Sequence, residues 1–212
     1  SALMRSEGNF ILSFSPELFF DKKNSQLLVR PMKGTYERGR YKEEDNLNKK
    51  RLFLSAKNRS ENIMIVDLVR NDLSQTAAKG SVEVEELCEI YSFLQVHQMI
   101  STVTSKVESD ISPIDILKTT FPMGSMTGAP KISAMQIIEN LEETKRGLYS
   151  GTVGYFTPDG DFDFNVVIRS ILYNENKSYV SYSVGSAITS KSSPIKEYEE
   201  CLVKAKAMRE VL

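Results

Sequence analysis

The sequence has few of the residues on which structural metal sites and thiol chemistry depend. Its 212 residues include one histidine, His97, and two cysteines, Cys88 and Cys201, with no CxxC pair. These numbers exclude a Cys/His zinc site and a disulfide framework. Any Ser–His–Asp chemistry would have to use His97, and we expect both thiols to be inert.

Charge of one sign and long apolar runs are also missing. Lys and Arg number 27 and Asp and Glu 28, a net charge of −1, so we expect no nucleic-acid partner and no polybasic membrane contact. The longest apolar runs, such as residues 63–66, are far shorter than the roughly 18–20 residues of a membrane span. With 41% hydrophobic and 26% charged residues, the chain can bury a sizeable core. We expect a soluble, cytoplasmic protein.

Short β-rich runs alternate with helical patterns along the chain. The predicted strands are residues 9–15, 18–21, 27–30, 81–87, 151–157, 161–173 and 179–184. Helices are predicted in the charged stretch 42–71, after the caps near Ser112 and Thr127, and over 194–212. Paired strands interrupted by helices predict an α+β fold with a mostly antiparallel sheet. No linker is visible, which favours one domain over residues 1–212.

Several carboxylates lie in places where they could bind a cation. Glu197 and Glu200 are three residues apart in the predicted terminal helix and share a face, with Lys204 one turn further on. Glu61 lies just before an apolar run. Each fits an ordinary solvated or helix-end charge, but carboxylates that converge from distant segments would suit Mg²⁺. Both interpretations stay open.

Two segments favour anion binding. The sequence GSMTGAPK at residues 124–131 combines glycines, small hydroxyls and a helix start, which offer backbone N–H groups to an anion. It lacks the spacing of a P-loop, and an ordinary capped turn is the alternative. In the predicted strand 161–173, alternation places Arg169 on the same face as Asp163. Arg169 would bind a ligand carboxylate or pair with Asp163.

Lys33 and Glu17 are candidates for covalent and acid–base chemistry. Lys33 ends a strand beside Gly34, and a partly desolvated lysine amine is a good nucleophile. An exposed surface lysine is the alternative. Glu17 follows Pro16, and a glutamate acts as a general acid where its surroundings raise its pKa.

Together these segments resemble one family, the chorismate-utilising enzymes, over nearly the whole chain. The matching motifs in chain order are SPE at 15–17, PMKGT at 31–35, ENIMIVDLVRND at 61–72, GSMTGAPK at 124–131, YSG at 149–151, IR at 168–169 and EYEE at 197–200. The resemblance implies a layered α/β/β/α fold with two large antiparallel sheets. Family members usually carry an N-terminal portion of comparable size before the first matched strand, so this chain would hold the catalytic part.

The residue at position 33 separates branches of this family. Anthranilate and isochorismate synthases typically have Ala there, whereas the aminodeoxychorismate branch typically has Lys, as Lys33 is here. The resemblance therefore implies amination of chorismate at C4, on the route to 4-aminobenzoate and folate. The ammonia would come from a separate glutamine amidotransferase subunit. The alternatives are anthranilate, isochorismate or salicylate synthesis, and a truncated form with little activity.

The resemblance also implies roles for individual residues. Lys33 would attack C2 of chorismate while Glu17 protonates the departing 4-hydroxyl. Mg²⁺ would be held by Glu61 and Glu200, with Glu197 nearby. The expected substrate-binding positions are Tyr149, Arg169 and the backbone of Gly185 at the enolpyruvyl carboxylate, Lys204 at the ring carboxylate, and Thr127 and Lys131 elsewhere in the pocket.

The sequence departs from the family pattern at two places. Where relatives have a catalytic histidine, this chain has Gln98, and His97 lies one position early. Because strand alternation turns neighbours to opposite faces, we assign no catalysis to His97 and expect Gln98 to hydrogen-bond in place of the histidine. A glycine-rich segment is altered to GSAITSKS at residues 185–192, where Lys191 changes the local charge.

Overall fold

The structure is a computed structural model that describes residues 1–94, 96–108, 110–190 and 192–212, so Lys191 lies outside the described residues. The strands are β1 Ala2–Ser6, β2 Asn9–Ser13, β3 Leu18–Lys23, β4 Gln26–Val29, β5 Met32–Glu37, β6 Glu83–Ser92, β7 Val96–Lys106, β8 Thr152–Phe156, β9 Phe162–Val166, β10 Ser170–Asn174 and β11 Tyr179–Tyr182. The helices are α1 Lys42–Leu54, α2 Ala56–Ser74, α3 Pro113–Thr120, α4 Lys131–Leu141 and α5 Pro194–Glu210, with a 3₁₀ turn at Gly124–Met126. Within the described part of the chain, no helix is long and apolar enough to cross a membrane.

The described residues form two compact units. The first unit consists of Ser1–Pro16, Thr144–Val153 and Asn165–Leu212. It contains helix α5 and a four-stranded sheet in the order β1-β2-β10-β11, in which every neighbouring pair is antiparallel. Ser170 and Ser13, on the adjacent strands β10 and β2, are buried and joined by a hydroxyl hydrogen bond of 3.0 Å.

The second unit consists of Glu17–Glu143 and Gly154–Phe164. The larger sheet runs in the order β5-β7-β4-β3-β9-β8, and β6 also pairs with β7. The rings of Phe20, Phe156, Phe162 and Phe164 form a cluster in which contacting pairs have centroids 5.1–6.0 Å apart. Such tilted and edge-to-face aromatic contacts stabilise a core beyond the burial of their area.

The α+β prediction with antiparallel sheets is confirmed. The helix predicted over residues 42–71 is two helices, because Ser55 begins α2 by accepting a hydrogen bond from the Asn58 amide. The helix start at Ser112 is confirmed, with the Ser112 hydroxyl accepting from the amide of Ile114. Helix α4 begins at Lys131, directly after the predicted opening turn.

The prediction of a single strand over residues 161–173 is wrong. Strand β9 ends at Val166 and β10 begins at Ser170, in the other sheet. Val166 and Val167 are both buried, which ends the alternation of the strand. Arg169 lies in the connection between β9 and β10 with a φ of 50°. The prediction that it shares a strand face with Asp163 is therefore wrong.

Candidate active site

Lys33 lies in an irregular part of strand β5. Met32 is opposite Ile100 of β7 and Thr35 is opposite Gln98, so three residues along β5 correspond to two along β7. This is a β-bulge, a device that redirects side chains next to functional sites. Lys33 is partly buried, and in the described part of the chain its ammonium has no hydrogen bond or ion pair.

Gly34 makes this bulge possible. Its φ of +93° lies in the region that glycine adopts without strain. A Cβ at position 34 would come within 2.9 Å of the Asn58 side chain and 3.1 Å of Leu52. The bulge therefore packs directly on helices α1 and α2 and leaves no space for a larger residue.

Gln98 holds the segment that follows Lys33. Its Nε2 donates to the carbonyl of Gly34 at 3.0 Å, and its Oε1 accepts from the Thr35 hydroxyl at 2.9 Å. The prediction that Gln98 hydrogen-bonds at this position is confirmed by these two contacts.

His97 points away from these groups. Its Nε2 lies 3.0 Å from Asp45 Oδ1 and its Nδ1 lies 2.8 Å from the Ser92 hydroxyl, and the residue is 1% exposed. Arg38 donates two hydrogen bonds to the same Asp45 carboxylate, at 2.7 and 2.9 Å, and the Gly39 amide donates a third. These partners, of which Arg38 has the largest effect, hold the pKa of Asp45 well below its usual range.

Ser92, His97 and Asp45 are the residue types of a catalytic triad, but the histidine is not accessible to a substrate. The Asp45 carboxylate is neutralised by Arg38, and the imidazole is buried. A triad needs a base that reaches substrate. The contacts of His97 are structural, which agrees with assigning it no catalysis.

The other predicted residues of the second unit fall on separate elements. Glu17 directly precedes β3. Glu61 lies on α2, and its carboxylate is 3.9 Å from the ammonium of Lys57, one turn earlier. Thr127 follows the 3₁₀ turn, and its hydroxyl donates to the Met123 carbonyl at 3.1 Å.

Lys131 is engaged by a residue that sequence reasoning missed. Its ammonium lies 2.6 Å from Asp72 Oδ2 and donates to the Thr120 carbonyl at 3.3 Å. Asp72 is 6% exposed, and burial raises the pKa of its carboxyl while Lys131 lowers it. The pair joins the start of α4 to the end of α2, and the substrate contact of Lys131 stays a prediction.

Four of the residues expected in the substrate and metal sites lie together in the first unit. A Cβ at Gly185 would be 2.6 Å from the Tyr149 hydroxyl, so the backbone at position 185 lies directly beside the end of that side chain. The Lys204 ammonium donates to the Gly185 carbonyl at 3.0 Å and pairs with Glu200 at 2.5 Å. The backbone at Gly185 is therefore in contact with a phenol hydroxyl and an ammonium group, and the ammonium is paired with a carboxylate.

Glu197 lies beside this cluster, one turn before Glu200 on α5. It is 8% exposed and accepts a hydrogen bond from Ser186, the residue after Gly185. Sequence reasoning missed Ser186, and the only signal for it was its place in the altered glycine-rich segment. Arg169, also in the first unit, accepts a backbone hydrogen bond from Phe14 at 3.2 Å.

Two of the predicted magnesium ligands, Glu197 and Glu200, lie on helix α5. Glu197 and Glu200 supply carboxylate oxygens from one face of α5, which is the donor type that Mg²⁺ prefers. Among the described residues, no group of three or more His, Cys, Asp and Glu side chains is arranged to hold a metal. Glu61 belongs to the second unit. The donor chemistry fits Mg²⁺, and the joint site stays a prediction.

Solved structures show which class of enzyme has this fold. The crystal structure of anthranilate synthase component I from Streptococcus pneumoniae TIGR4 matches 98% of this chain and 45% of its own, with a TM-score of 0.87 and 32% identity. The chain thus has the fold of the chorismate-utilising enzymes. The sequence model of the family described as "chorismate binding enzyme" matches residues 1–210, and the chain belongs to this family.

Several relatives in this family are named aminodeoxychorismate synthases. The chain is 46% identical over 198 residues to the chloroplastic aminodeoxychorismate synthase of Arabidopsis thaliana, a match that covers 93% of this chain and 21% of that protein. It is 40% identical over 200 residues to aminodeoxychorismate synthase component 1 of Escherichia coli K12, covering 94% and 44%. The chain spans less than half the length of these relatives.

Proposed function

We propose that this chain is the catalytic part of an aminodeoxychorismate synthase component I, which converts chorismate and ammonia into 4-amino-4-deoxychorismate. The observation that carries the proposal is Lys33, partly buried in the β5 bulge with an ammonium group that has no partner among the described residues. The two aminodeoxychorismate synthases to which the chain is similar support it.

The proposed chemistry divides one difficult substitution into two steps. The Lys33 amine bonds to C2 of the ring and loses a proton, both ring double bonds shift by one position towards C4, and the C4–O bond breaks. Glu17 gives its proton to the departing 4-hydroxyl, which leaves as water. Ammonia then bonds to C4 and loses a proton, both double bonds shift back, and the C2–N bond breaks to release Lys33, whose nitrogen takes up a proton.

Substrate binding is assigned to residues that bind carboxylates well. Arg169 and the Tyr149 hydroxyl would hold the enolpyruvyl carboxylate with the backbone of Gly185, and Lys204 would contact the ring carboxylate. Thr127 and Lys131 are proposed as further pocket positions. The residues proposed to hold Mg²⁺ are Glu61, Glu197 and Glu200. Bound Mg²⁺ would supply positive charge that neutralises and orients the ring carboxylate.

Ammonia is proposed to come from a glutamine amidotransferase subunit. The name "component 1" of the bacterial relative supports a second component. This chain has a single histidine, His97, and it is buried in its contacts with Asp45 and Ser92. We therefore do not assign the Cys-His-Glu set of a glutaminase to this chain. The cytoplasmic location of this chain stays a prediction. The plant relative, by contrast, is named chloroplastic.

The second candidate function is anthranilate synthesis, which the similarity to the pneumococcal enzyme favours. The two candidates are separated by incubating the purified chain with chorismate, Mg²⁺ and an ammonium salt and identifying the product by mass spectrometry. We expect 4-amino-4-deoxychorismate. Anthranilate or isochorismate would replace the proposal with another family activity, and no turnover by a folded protein would contradict it.

A further inference from the structure

The bulge that carries Lys33 is held from two sides. On one side, Gly34 packs on Asn58 and Leu52, the contacts that leave no room for a Cβ. On the other, the Gln98 amide donates to the Gly34 carbonyl and accepts from the Thr35 hydroxyl. Gly34 is the residue whose backbone is freest to move, so these contacts decide where the bulge lies.

The chemistry of glutamine suits this contact closely. One planar amide presents a donor and an acceptor side by side, and Gln98 uses them on two consecutive residues, Gly34 and Thr35. A glutamate would keep the acceptor but oppose its second oxygen to the Gly34 carbonyl. A methionine has similar length and offers neither a strong donor nor a strong acceptor.

We propose that Gln98 is a positioning residue that fixes the backbone after Lys33 and so sets where the Lys33 amine can reach. The proposal rests on the proposed function for the reaction, whereas the effect on Lys33 itself requires no substrate. An amine that attacks a ring carbon must be aimed closely, since a displacement of about 1 Å can cost about 100-fold in rate. The contact between Gln98 and the bulge is thus expected to appear in kcat more than in KM.

The test compares four variants with the unaltered chain. Gln98→Met removes both hydrogen bonds and Thr35→Val removes one, whereas Thr35→Ser retains the hydroxyl. Thr104→Val is the matched control: Thr104 is also on β7, and its hydroxyl bonds to Glu85 at 2.9 Å, away from Lys33. Urea unfolding of each variant shows that the comparison is made between folded proteins.

Two readouts are made. The first is the kcat and KM for chorismate. The second is the rate at which labelled formaldehyde and a reductant methylate Lys33, followed by peptide mass spectrometry with the exposed Lys49 and Lys79 as internal references. The second readout uses no chorismate, so it remains informative whatever reaction the enzyme carries out.

In Gln98→Met we expect kcat to fall about 10- to 100-fold with KM within about threefold. Methylation of Lys33 should become about fivefold faster relative to Lys49 and Lys79, because two hydrogen bonds no longer hold the bulge. Thr35→Val should shift both readouts in the same direction by less. Thr35→Ser and Thr104→Val should stay within about twofold of the unaltered chain.

Lys33 methylation in Gln98→Met that equals the rate in Thr104→Val would overturn the proposal. So would a fall in kcat that Thr104→Val reproduces. If the unaltered chain makes no C4-aminated product while Lys33 methylation still responds to Gln98→Met, the proposed function fails and the positioning of Lys33 by Gln98 is supported.

Discussion

The two faces of strand β7 use polar side chains for different purposes. Towards helices α1 and α2, His97 binds Asp45 and Ser101 binds Asn62, and all but Asp45 are buried. Gln98, the neighbour of His97, instead holds the bulge that carries Lys33. Two adjacent polar residues thus stabilise the core in one case and shape the candidate active site in the other.

This difference shows that residue type is a poor guide to role in this chain. The single histidine, which is the usual candidate for acid–base catalysis, is enclosed by contacts that use both ring nitrogens. The amide beside it has no acid–base chemistry and lies next to the candidate nucleophile. Position in the strand, and not chemical reactivity, decides which side chain contacts the site.

The largest effect is expected at Lys33, the candidate nucleophile in the bulge of β5 that Gln98 contacts. Lys33→Ala should lower formation of the C4-aminated product about 10³-fold or more, because the amine that bonds to C2 is absent. The measurement is the initial rate with chorismate, Mg²⁺ and ammonium. Lys49→Ala, an exposed lysine on α1, is the control and should retain the rate. Amination at the unaltered rate in Lys33→Ala would rule out the covalent role of Lys33.

The buried ion pair between Asp72 of α2 and Lys131 of α4 is expected to contribute to the free energy of unfolding. Lys131→Met leaves the Asp72 carboxylate buried without its cation, which should lower the free energy of unfolding by about 3 kcal/mol at pH 7. Burial raises the pKa of Asp72, so the folded protein takes up a proton more readily than the unfolded chain. The loss should therefore shrink as the pH falls from 7 towards 4.

Urea unfolding at several pH values measures this effect, and Lys118→Met is the control. Lys118 pairs with Asp115 at 3.5 Å on the surface of α3, where both side chains are mostly exposed. Its loss should cost less than about 1 kcal/mol at any pH. An equal cost for the two variants would mean that the Asp72–Lys131 pair is not a buried charge contact.

The smallest effect is expected on the core face of β7. His97→Leu should lower the free energy of unfolding by about 2 kcal/mol, because it removes two hydrogen bonds while Asp45 keeps Arg38 and Gly39 as partners. The rate per folded molecule should be unchanged. Unchanged stability with a large loss of rate would mean that His97, and not only Gln98, acts at the candidate active site.

Much of the fold could be predicted because local signals agree with it. The cap at Ser112 and the alternation of Phe162, Phe164 and Val166 correspond to elements of the structure, whereas the cap at Ser55, which divides the helix predicted over 42–71, was missed. The break between β9 and β10 could not be predicted from alternation, because both Val166 and Val167 are buried where the chain passes from one sheet to the other.

The candidate site was predictable as a set of residues but not as an arrangement. Ordered motifs identified Lys33, Glu61 and Glu200, whereas the partners that fix such residues come from other segments. Asp72, which holds Lys131, is 59 positions away in the chain, and no local pattern links the two. Gln98 departs from the family pattern, and only the register of β7 against β5 shows what it contacts.

The position at which nitrogen enters the ring distinguishes amination at C4 through Lys33 from the other activities of the family. The folded chain is incubated with chorismate, Mg²⁺ and ¹⁵N-labelled ammonium, and the labelled carbon–nitrogen bond is located by NMR, with Lys33→Ala treated in parallel. We expect ¹⁵N on C4 of the product and loss of this signal in Lys33→Ala. Nitrogen on C2, or on C4 at the same rate in Lys33→Ala, would contradict it.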